Sequence, residues 1–219
     1  MNVHHVYGAL FRATGFRRRR MQLFTELFQP TNSTRIVDIG GYADYWAPVK
    51  TGARITLATR PQITLLNLDI RHDRSNYPEV RHVLGNALSI PFASDAYDIA
   101  HSNSVIEHLS TWQNQQLFAQ EVSRIAPRVW VQTPAREFFV EPHVLTPFVH
   151  WLPRQWNRRL LRNFTIWGWI TRPTPRQVED FLREVRLLTY EEMSALFPDC
   201  TIRREKWMGI TKSYIAYRL

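Results

Sequence analysis

Hydrophobic residues follow two different periods along the first 133 residues of the chain. Within 17–28 they recur with helical spacing, at Met21, Phe24, Leu27 and Phe28. Short runs of β-branched and apolar residues, bounded by turn residues, predict buried strands at 34–38, 63–68, 82–84, 97–102 and 128–133. Helical stretches are predicted between strands at 43–49 and 113–125.

This alternation of strands and helices is typical of βαβ units. Because crossovers between parallel strands are right-handed, the units predict a doubly wound α/β sheet with helices on both faces. Further along, a helix is predicted at 189–196, where Thr189 and Glu192 form a capping box. Alternating residues at 200–204 and 212–218 predict two closing antiparallel strands.

The regular pattern breaks down between residues 134 and 176. Six prolines punctuate this stretch, which is rich in tryptophan, phenylalanine and histidine. Prolines interrupt both helices and sheet ladders, so a long regular element does not fit. We interpret 134–176 as a helical cap inserted in a single domain that spans 1–219, rather than as another layer of sheet.

Composition narrows the class of protein. The chain has 219 residues and a formal net charge of +9, and one domain of this size can bury a core without disulfides or metals. The single cysteine, Cys200, excludes an internal disulfide and a zinc site of the CxxC…CxxC type, and we predict no metal site. Neither a secretory signal nor a membrane span is predicted from the apolar runs. A reducing, cytoplasmic location is therefore expected.

The charge is unevenly distributed. Residues 151–176 contain six arginines, four tryptophans and no acidic residue. Three interpretations of 151–172 stay open: a cap over an aromatic acceptor, a surface that contacts an anionic membrane peripherally, or a packed helix with solvated arginines. The net charge also raises nucleic acid as a partner, but no RNA-binding motif is present.

Polar and glycine-rich turns follow four of the predicted strands. They are Asp38-Ile39-Gly40-Gly41-Tyr42, Asn67-Leu68-Asp69, Gly85-Asn86-Ala87 and Ser102-Asn103-Ser104. In doubly wound folds a ligand binds at the carboxyl edge of the sheet, where glycine lets the backbone approach it closely. The first turn alone is equally consistent with an ordinary tight turn, and each of the others alone is more typical of a loop. Their order and spacing along the chain favour a nucleotide-type site.

Three segments carry a family resemblance: IVDIGGYADYW, ITLLNLD and GNALSIPFASDAYDIAHSNSVIEHL. Together they resemble the class I S-adenosylmethionine-dependent methyltransferases, in particular the small-molecule branch called methyltransferase type 11. The resemblance covers about residues 34–133. It implies a Rossmann-like, seven-stranded sheet whose last strand is antiparallel, with adenosylmethionine across the ends of the first, second and fourth strands.

The resemblance also implies roles for particular residues. The methionine part is expected near Asp38, Gly40, Gly41 and Tyr42, above Ser102, Asn103 and Ser104, with His108 at the border of the pocket. The ribose is expected at Asn67, Leu68 and Asp69, and the adenine at Asn86 and Ala87.

The glycine motif departs from the usual D-x-G-x-G-x-G. Asp38, Gly40, Tyr42 and Asp44 stand at its positions, so only the first glycine is kept. Asn67 replaces an expected acid, and Asn86 replaces the commoner Asp. These departures keep a second hypothesis open, a binding or scaffold domain that has lost turnover.

The expected reaction is methyl transfer to a small-molecule or lipid-linked acceptor, at oxygen. Such an acceptor must lose a proton, and histidine is the side chain whose ordinary pKa lies nearest neutrality. The candidates are His108, His143 and His150, with Glu141 beside His143 in the acceptor pocket. Two further hypotheses are weaker: a nucleic-acid methyltransferase usually has a Pro-containing signature, and a nicotinamide oxidoreductase needs three spaced glycines.

Overall fold

A computed structural model describes residues 15–46, 59–69, 80–141, 146–148, 151–152 and 154–219. The helices are α1 (Phe16–Phe28), α2 (Ala43–Trp46), α3 (Trp112–Ile125), α4 (Arg154–Asn163), α5 (Ile166–Thr171), α6 (Pro175–Glu184) and α7 (Tyr190–Leu196), with a 3-10 turn at Ile106–His108. The strands are β1 (Arg35–Ile39), β2 (Gln62–Asn67), β3 (Val80–Leu84), β4 (Ile99–Asn103), β5 (Arg128–Pro134), β6 (Val140–Glu141), β7 (Thr146–Pro147), β8 (Thr201–Trp207) and β9 (Ile210–Arg218). The predicted helix at 43–49 is confirmed only for 43–46, and its remainder lies outside the described residues.

Seven strands form one sheet in the order β3-β2-β1-β4-β5-β9-β8. The first five strands pair in parallel, whereas β9 is antiparallel to both of its neighbours, β5 and β8. The Rossmann-like sheet with an antiparallel last strand is therefore confirmed. Each predicted strand is found within three residues of its expected bounds.

Both faces of the sheet are covered by helices, as the doubly wound interpretation requires. On one face, α3 and α7 bury Phe118, Val122 and Leu196 against the sheet. On the other, α1 buries Phe24 and Phe28. The parallel strands β1, β2, β4 and β5 are largely buried, as expected for strands covered on both faces, whereas the edge strand β3 is only partly buried.

The segment 134–176 differs from expectation in one respect. Short strands β6 and β7 pair antiparallel before the helices begin. Two residues per strand are too few to show an alternating pattern in the sequence. The helices are present, and Leu161 of α4 packs against Val178 of α6 with Trp167 and Phe181 beside them.

The predicted capping box of α7 is confirmed. The backbone N–H of Glu192 donates to Thr189 Oγ1 at 3.2 Å, and the N–H of Thr189 donates to the Glu192 carboxylate at 3.0 Å. A second capping box, of Thr174 and Gln177, begins α6. None of the helices that the structure describes has the length and apolarity needed to cross a bilayer.

Candidate functional site

The four turns singled out in the sequence meet at the carboxyl edge of the parallel strands. The N–H of Gly40, after β1, donates to Leu66 O of β2 at 2.8 Å. The N–H of Gly85, after β3, donates to Asn67 O at 3.0 Å. From β4, Ser102 Oγ donates to Ile39 O at 3.0 Å. Hydrogen bonds thus connect the turns to neighbouring strands at one edge of the sheet.

The one kept glycine of the motif is the one that the backbone needs. Gly40 has a φ of 72°, and a Cβ there would lie 2.4 Å from Cγ2 of Val105. Tyr42, where the motif usually has glycine, is outside the left-handed region. Tyr42 is 63% exposed, so its side chain is not packed into the edge of the sheet.

The carboxylate of Asp38 is turned into the protein. Asp38 is 1% exposed, and Trp46 Nε1 donates to its Oδ2 at 2.8 Å. Its Oδ1 lies 2.7 Å from His101 Nδ1. A Cβ on Gly41 would lie 1.8 Å from Oδ2. Asp38 therefore fixes the shape of the turn and holds Trp46, the last described residue of α2, with both oxygens already engaged.

His101 continues this chain of hydrogen bonds. Its Nε2 lies 3.1 Å from Asn103 Nδ2, and Asn103 Oδ1 accepts from Trp130 Nε1 at 3.3 Å. Because Asn103 is a donor to the ring and an acceptor from the indole, this arrangement fits the tautomer with the proton on Nδ1. Aromatic rings enclose the imidazole, those of Phe24, Tyr45, Trp46 and Trp130.

Sequence reasoning missed His101. The signal available was a polar side chain within the strand YDIAHS, which was predicted to be buried, and a buried polar group requires partners. Tyr45 belongs to the same enclosure, and burial raises its pKa to about 12. Tyr45 is for that reason unsuited to act as a base near neutral pH.

In the second and third turns, the side-chain amides of Asn67 and Asn86 each form a hydrogen bond within the protein. Asn67 Nδ2 donates to Gly41 O at 3.0 Å, which ties the end of β2 to the glycine turn. Asn86 Oδ1 accepts from the N–H of Leu88 at 2.9 Å, an Asx turn. Ala87 packs against the core, whereas Leu68 is 79% exposed at the sheet edge. Asp69 follows Leu68 at the same edge.

The serines after β4 use their hydroxyls within the protein. Ser102 is 1% exposed and bonded to β1. Ser104, which has a φ of 56°, donates through Oγ to Gln132 Oε1 at 3.3 Å. What this segment offers a ligand is accordingly its backbone rather than its hydroxyl groups.

His108 lies just beyond this segment, in the 3-10 turn. Its Nδ1 is 3.3 Å from Oε1 of Glu184, the last residue of α6, and its side chain is 33% exposed. Glu184 was not singled out from the sequence, because nothing local places α6 beside β4. Glu141 ends β6, but its side chain, His143 and His150 lie outside the described residues.

A second cluster of buried charged side chains joins α1 to strands β8 and β9. Arg20 Nη2 is 2.7 Å from Glu205 Oε2, with Lys212 Nζ 3.9 Å from the same oxygen. Burial, together with the charge of Arg20, lowers the pKa of Lys212 to about 8. Burial alone would raise the pKa of Glu205, but Arg20 and Lys212 outweigh it and lower the pKa. Among the described residues, no three His, Cys, Asp or Glu side chains are grouped as metal ligands.

Part of the chain matches a known protein family. Residues 39–128 match the sequence model of a family described as a methyltransferase domain. No significant match is found among curated proteins.

Solved structures share the fold at low identity. A protein from Nostoc punctiforme, provisionally assigned as an O-methyltransferase, is 12% identical with a TM-score of 0.53, over 92% of this chain and 55% of its own. Phosphoethanolamine N-methyltransferase 2 of Haemonchus contortus is 11% identical with a TM-score of 0.52, over 85% and 38%. A protein from Rhodobacter sphaeroides, provisionally assigned to the Zn-dependent alcohol dehydrogenases, is 13% identical with a TM-score of 0.57, over 91% and 88%. At these identities the likeness is one of fold alone.

Proposed function

We propose that this chain, which carries a class I S-adenosylmethionine-dependent methyltransferase domain, methylates a small-molecule or lipid-linked acceptor at oxygen. The observation that carries the proposal is the meeting of four turns at the carboxyl edge of β1 to β4. Doubly wound sheets bind their ligands at this edge. The antiparallel β9 argues against the alternative of a nicotinamide-dependent oxidoreductase, whose dinucleotide-binding sheet has the order 3-2-1-4-5-6.

The residues at this edge fit adenosylmethionine. Tyr42 is exposed rather than packed into the edge, and the positive φ of Gly40 lets the backbone turn beneath a ligand. Leu68, exposed at a strand end, offers an apolar surface to an adenosine ring. We assign the methionine part to Gly40, Gly41 and Tyr42, in a turn that the buried Asp38 holds in place, and to the backbone of Ser102, Asn103 and Ser104. We assign the ribose to Asn67, Leu68 and Asp69, and the adenine to Asn86 and Ala87.

The bound cofactor supplies an already activated methyl group, so this chain mainly has to position an acceptor and exclude water. An acceptor hydroxyl must also lose its proton as the new C–O bond forms. We assign that proton to His108 Nε2. Glu184, beside Nδ1, would keep the proton of the neutral ring on Nδ1 and orient the imidazole.

The acceptor is expected under the cap formed by 134–176. Glu141 and His143 are proposed to line its pocket, because they follow β5, whose carboxyl end lies at the same sheet edge. Residues 151–172 are proposed as the part that contacts a membrane when the acceptor is lipid-linked.

A scaffold that has lost turnover is the second candidate function. It is favoured by Tyr42 in place of a motif glycine and by Asn67, whose neutral amide forms weaker hydrogen bonds to ribose than a carboxylate does. This candidate predicts that the protein binds the cofactor but transfers its methyl group to no acceptor.

The proposal is tested by incubating the purified protein with cell extract and methyl-labelled adenosylmethionine. We expect the label to appear in a small or lipid-soluble product. His108→Gln should lower the rate at which this product forms at least about 100-fold, without a change in cofactor affinity. Label found only in nucleic acid would overturn the choice of acceptor. Cofactor binding with no labelled product would favour the scaffold.

A further inference from the structure

Apolar side chains, all exposed except the half-buried Phe139, gather where the cap meets the β8–β9 hairpin. We call this surface the aromatic face and define it as Phe139, Phe148, Trp151, Trp207, Met208 and Ile210. Its rings form a continuous series, with centroid distances of 6.2 Å for Trp207–Phe139, 6.1 Å for Phe139–Phe148 and 5.4 Å for Phe148–Trp151. Met208 at the hairpin tip is 82% exposed. Contiguous exposed apolar surface marks an interaction site more often than single exposed residues do.

The backbone holds two of these residues in a conformation that their side chains disfavour. Phe148 has a φ of 62° and Met208 a φ of 49°. Among the described residues other than glycine, these are the only large apolar ones at positive φ, and both lie on the aromatic face. Met208 and Gly209, with a φ of 84°, form the two-residue loop of the hairpin, where Asn-Gly is the usual pair. Apolar residues at strained, exposed positions point to a role in binding.

Exposed basic side chains border the aromatic face. Lys206 in the hairpin and Arg136, whose backbone carbonyl accepts from Trp151 Nε1, are exposed. The neighbouring acids are engaged within the protein: Glu205 pairs with Arg20, and the Glu137 carboxylate accepts from the Tyr214 hydroxyl. Within the cap, helices α4 and α5 also carry exposed aromatic side chains, at 60% for Trp156, 67% for Phe164 and 66% for Trp169.

We propose that the aromatic face docks onto the surface of an anionic phospholipid bilayer, with Met208 and Phe148 inserted at the headgroup level. Tryptophans favour the membrane interface, and arginines near it are attracted to anionic lipids. The inference rests on the membrane contact in the proposed function, and it adds the β8–β9 hairpin as the inserted element. A nucleic acid would also attract the basic side chains. The exposed methionine at the hairpin tip, however, is an apolar group that gains no favourable contact with a phosphate backbone.

Co-sedimentation with vesicles tests this. The full chain is mixed with vesicles of phosphatidylcholine alone and of phosphatidylcholine with phosphatidylglycerol, at low and high salt. We expect binding to the anionic vesicles only, lost at high salt. Met208→Asn should weaken it about tenfold, because the inserted apolar side chain is lost. The substitution keeps the hairpin folded, since asparagine tolerates positive φ.

Leu117→Gln is the matched control, because Leu117 is 45% exposed on α3, away from the aromatic face. It should bind vesicles as the parent does. Equal binding to neutral vesicles, binding unchanged by Met208→Asn, or no binding to vesicles would each overturn the proposal, as would capture of single-stranded RNA that Met208→Asn abolishes. Calorimetry with adenosylmethionine on the same samples separates the outcomes, since failure of vesicle binding with intact cofactor binding leaves the methyltransferase assignment standing.

Discussion

At the scale of single residues, the unexpected feature is what Asp38 does. The sequence places it at the end of β1 as the acid of a cofactor motif, yet its oxygens are taken by His101 and Trp46. The sequence could identify the position of Asp38 but not its partners, because His101 and Trp46 reach it only through the register of β4 and the direction that α2 takes. The side chain that shapes the turn is thus buried beneath it.

This arrangement makes a prediction for Gly41→Ala. The new Cβ would lie 1.8 Å from Asp38 Oδ2, so the carboxylate must move and give up its hydrogen bond to Trp46. We expect a loss of about 1–3 kcal/mol in the free energy of unfolding and weaker cofactor binding. Urea unfolding and calorimetry measure the two effects.

The double variant Asp38→Ala with Gly41→Ala is the control. With the carboxylate gone, adding the Cβ should cost much less than it does in the parent, because nothing remains for it to strike. Equal costs in the two backgrounds would show that the contact between Gly41 and Asp38 is unimportant.

Lys212 makes a prediction about pH. Its folded pKa is about 8, below its ordinary value of 10.5, so between these values the unfolded chain binds more protons than the folded one. Stability should therefore rise with pH above 8. Above 9.0 the rise is opposed by Cys200, whose buried thiol has its pKa raised to about 11.

The clean window for this effect lies between about pH 8 and pH 9. We expect the free energy of unfolding to increase there by about 1 kcal/mol in the parent and to stay flat in Lys212→Met. The measurement is denaturant unfolding at a series of pH values. A parent that loses stability across this window would contradict the assignment.

At the scale of elements, the helix α1 shows what a single sequence can and cannot provide. Its apolar face was predictable from spacing alone, because helical periodicity is a local property. Its destination was not: Phe24 packs edge-on against Trp46, His101 and Trp130, residues from three different elements. The small ladder of β6 and β7 was missed for a related reason, since two residues per strand carry no period.

Phe24→Ala should be strongly destabilising. Phe24 is fully buried, so the change removes its contacts and leaves a cavity against the sheet; we expect a cost of about 3–5 kcal/mol in thermal or urea unfolding. Leu27→Ala on the same helix is the comparison, because Leu27 is only partly buried and should cost less. A similar cost at both positions would mean that α1 does not pack as described.

The hairpin of β8 and β9 carries an opposite prediction. Met208→Asn should stabilise the protein by about 1 kcal/mol, since asparagine tolerates the positive φ that methionine occupies there. Met208→Ala, which keeps the backbone strain, should not. A lower melting temperature for Met208→Asn would argue against a left-handed conformation at this position.

At the scale of the whole molecule, the sequence could supply the strands and their polar ends, and the family resemblance supplied their order. The structure adds contacts between residues distant in the chain. Glu184 beside His108 is one example, and the hydrogen bond from the Arg186 N–H to Glu107 O, 2.7 Å long, fixes the same approach of α6 to the sheet edge. No local pattern encodes such contacts, because they depend on how 134–176 folds back.

The central claim is that the edge of the sheet binds adenosylmethionine. Isothermal titration calorimetry with adenosylmethionine, adenosylhomocysteine and NADH tests it most directly. The account predicts saturable binding of both sulfur compounds, weakened by Gly41→Ala, and no binding of NADH. A folded protein that binds neither sulfur compound would contradict it.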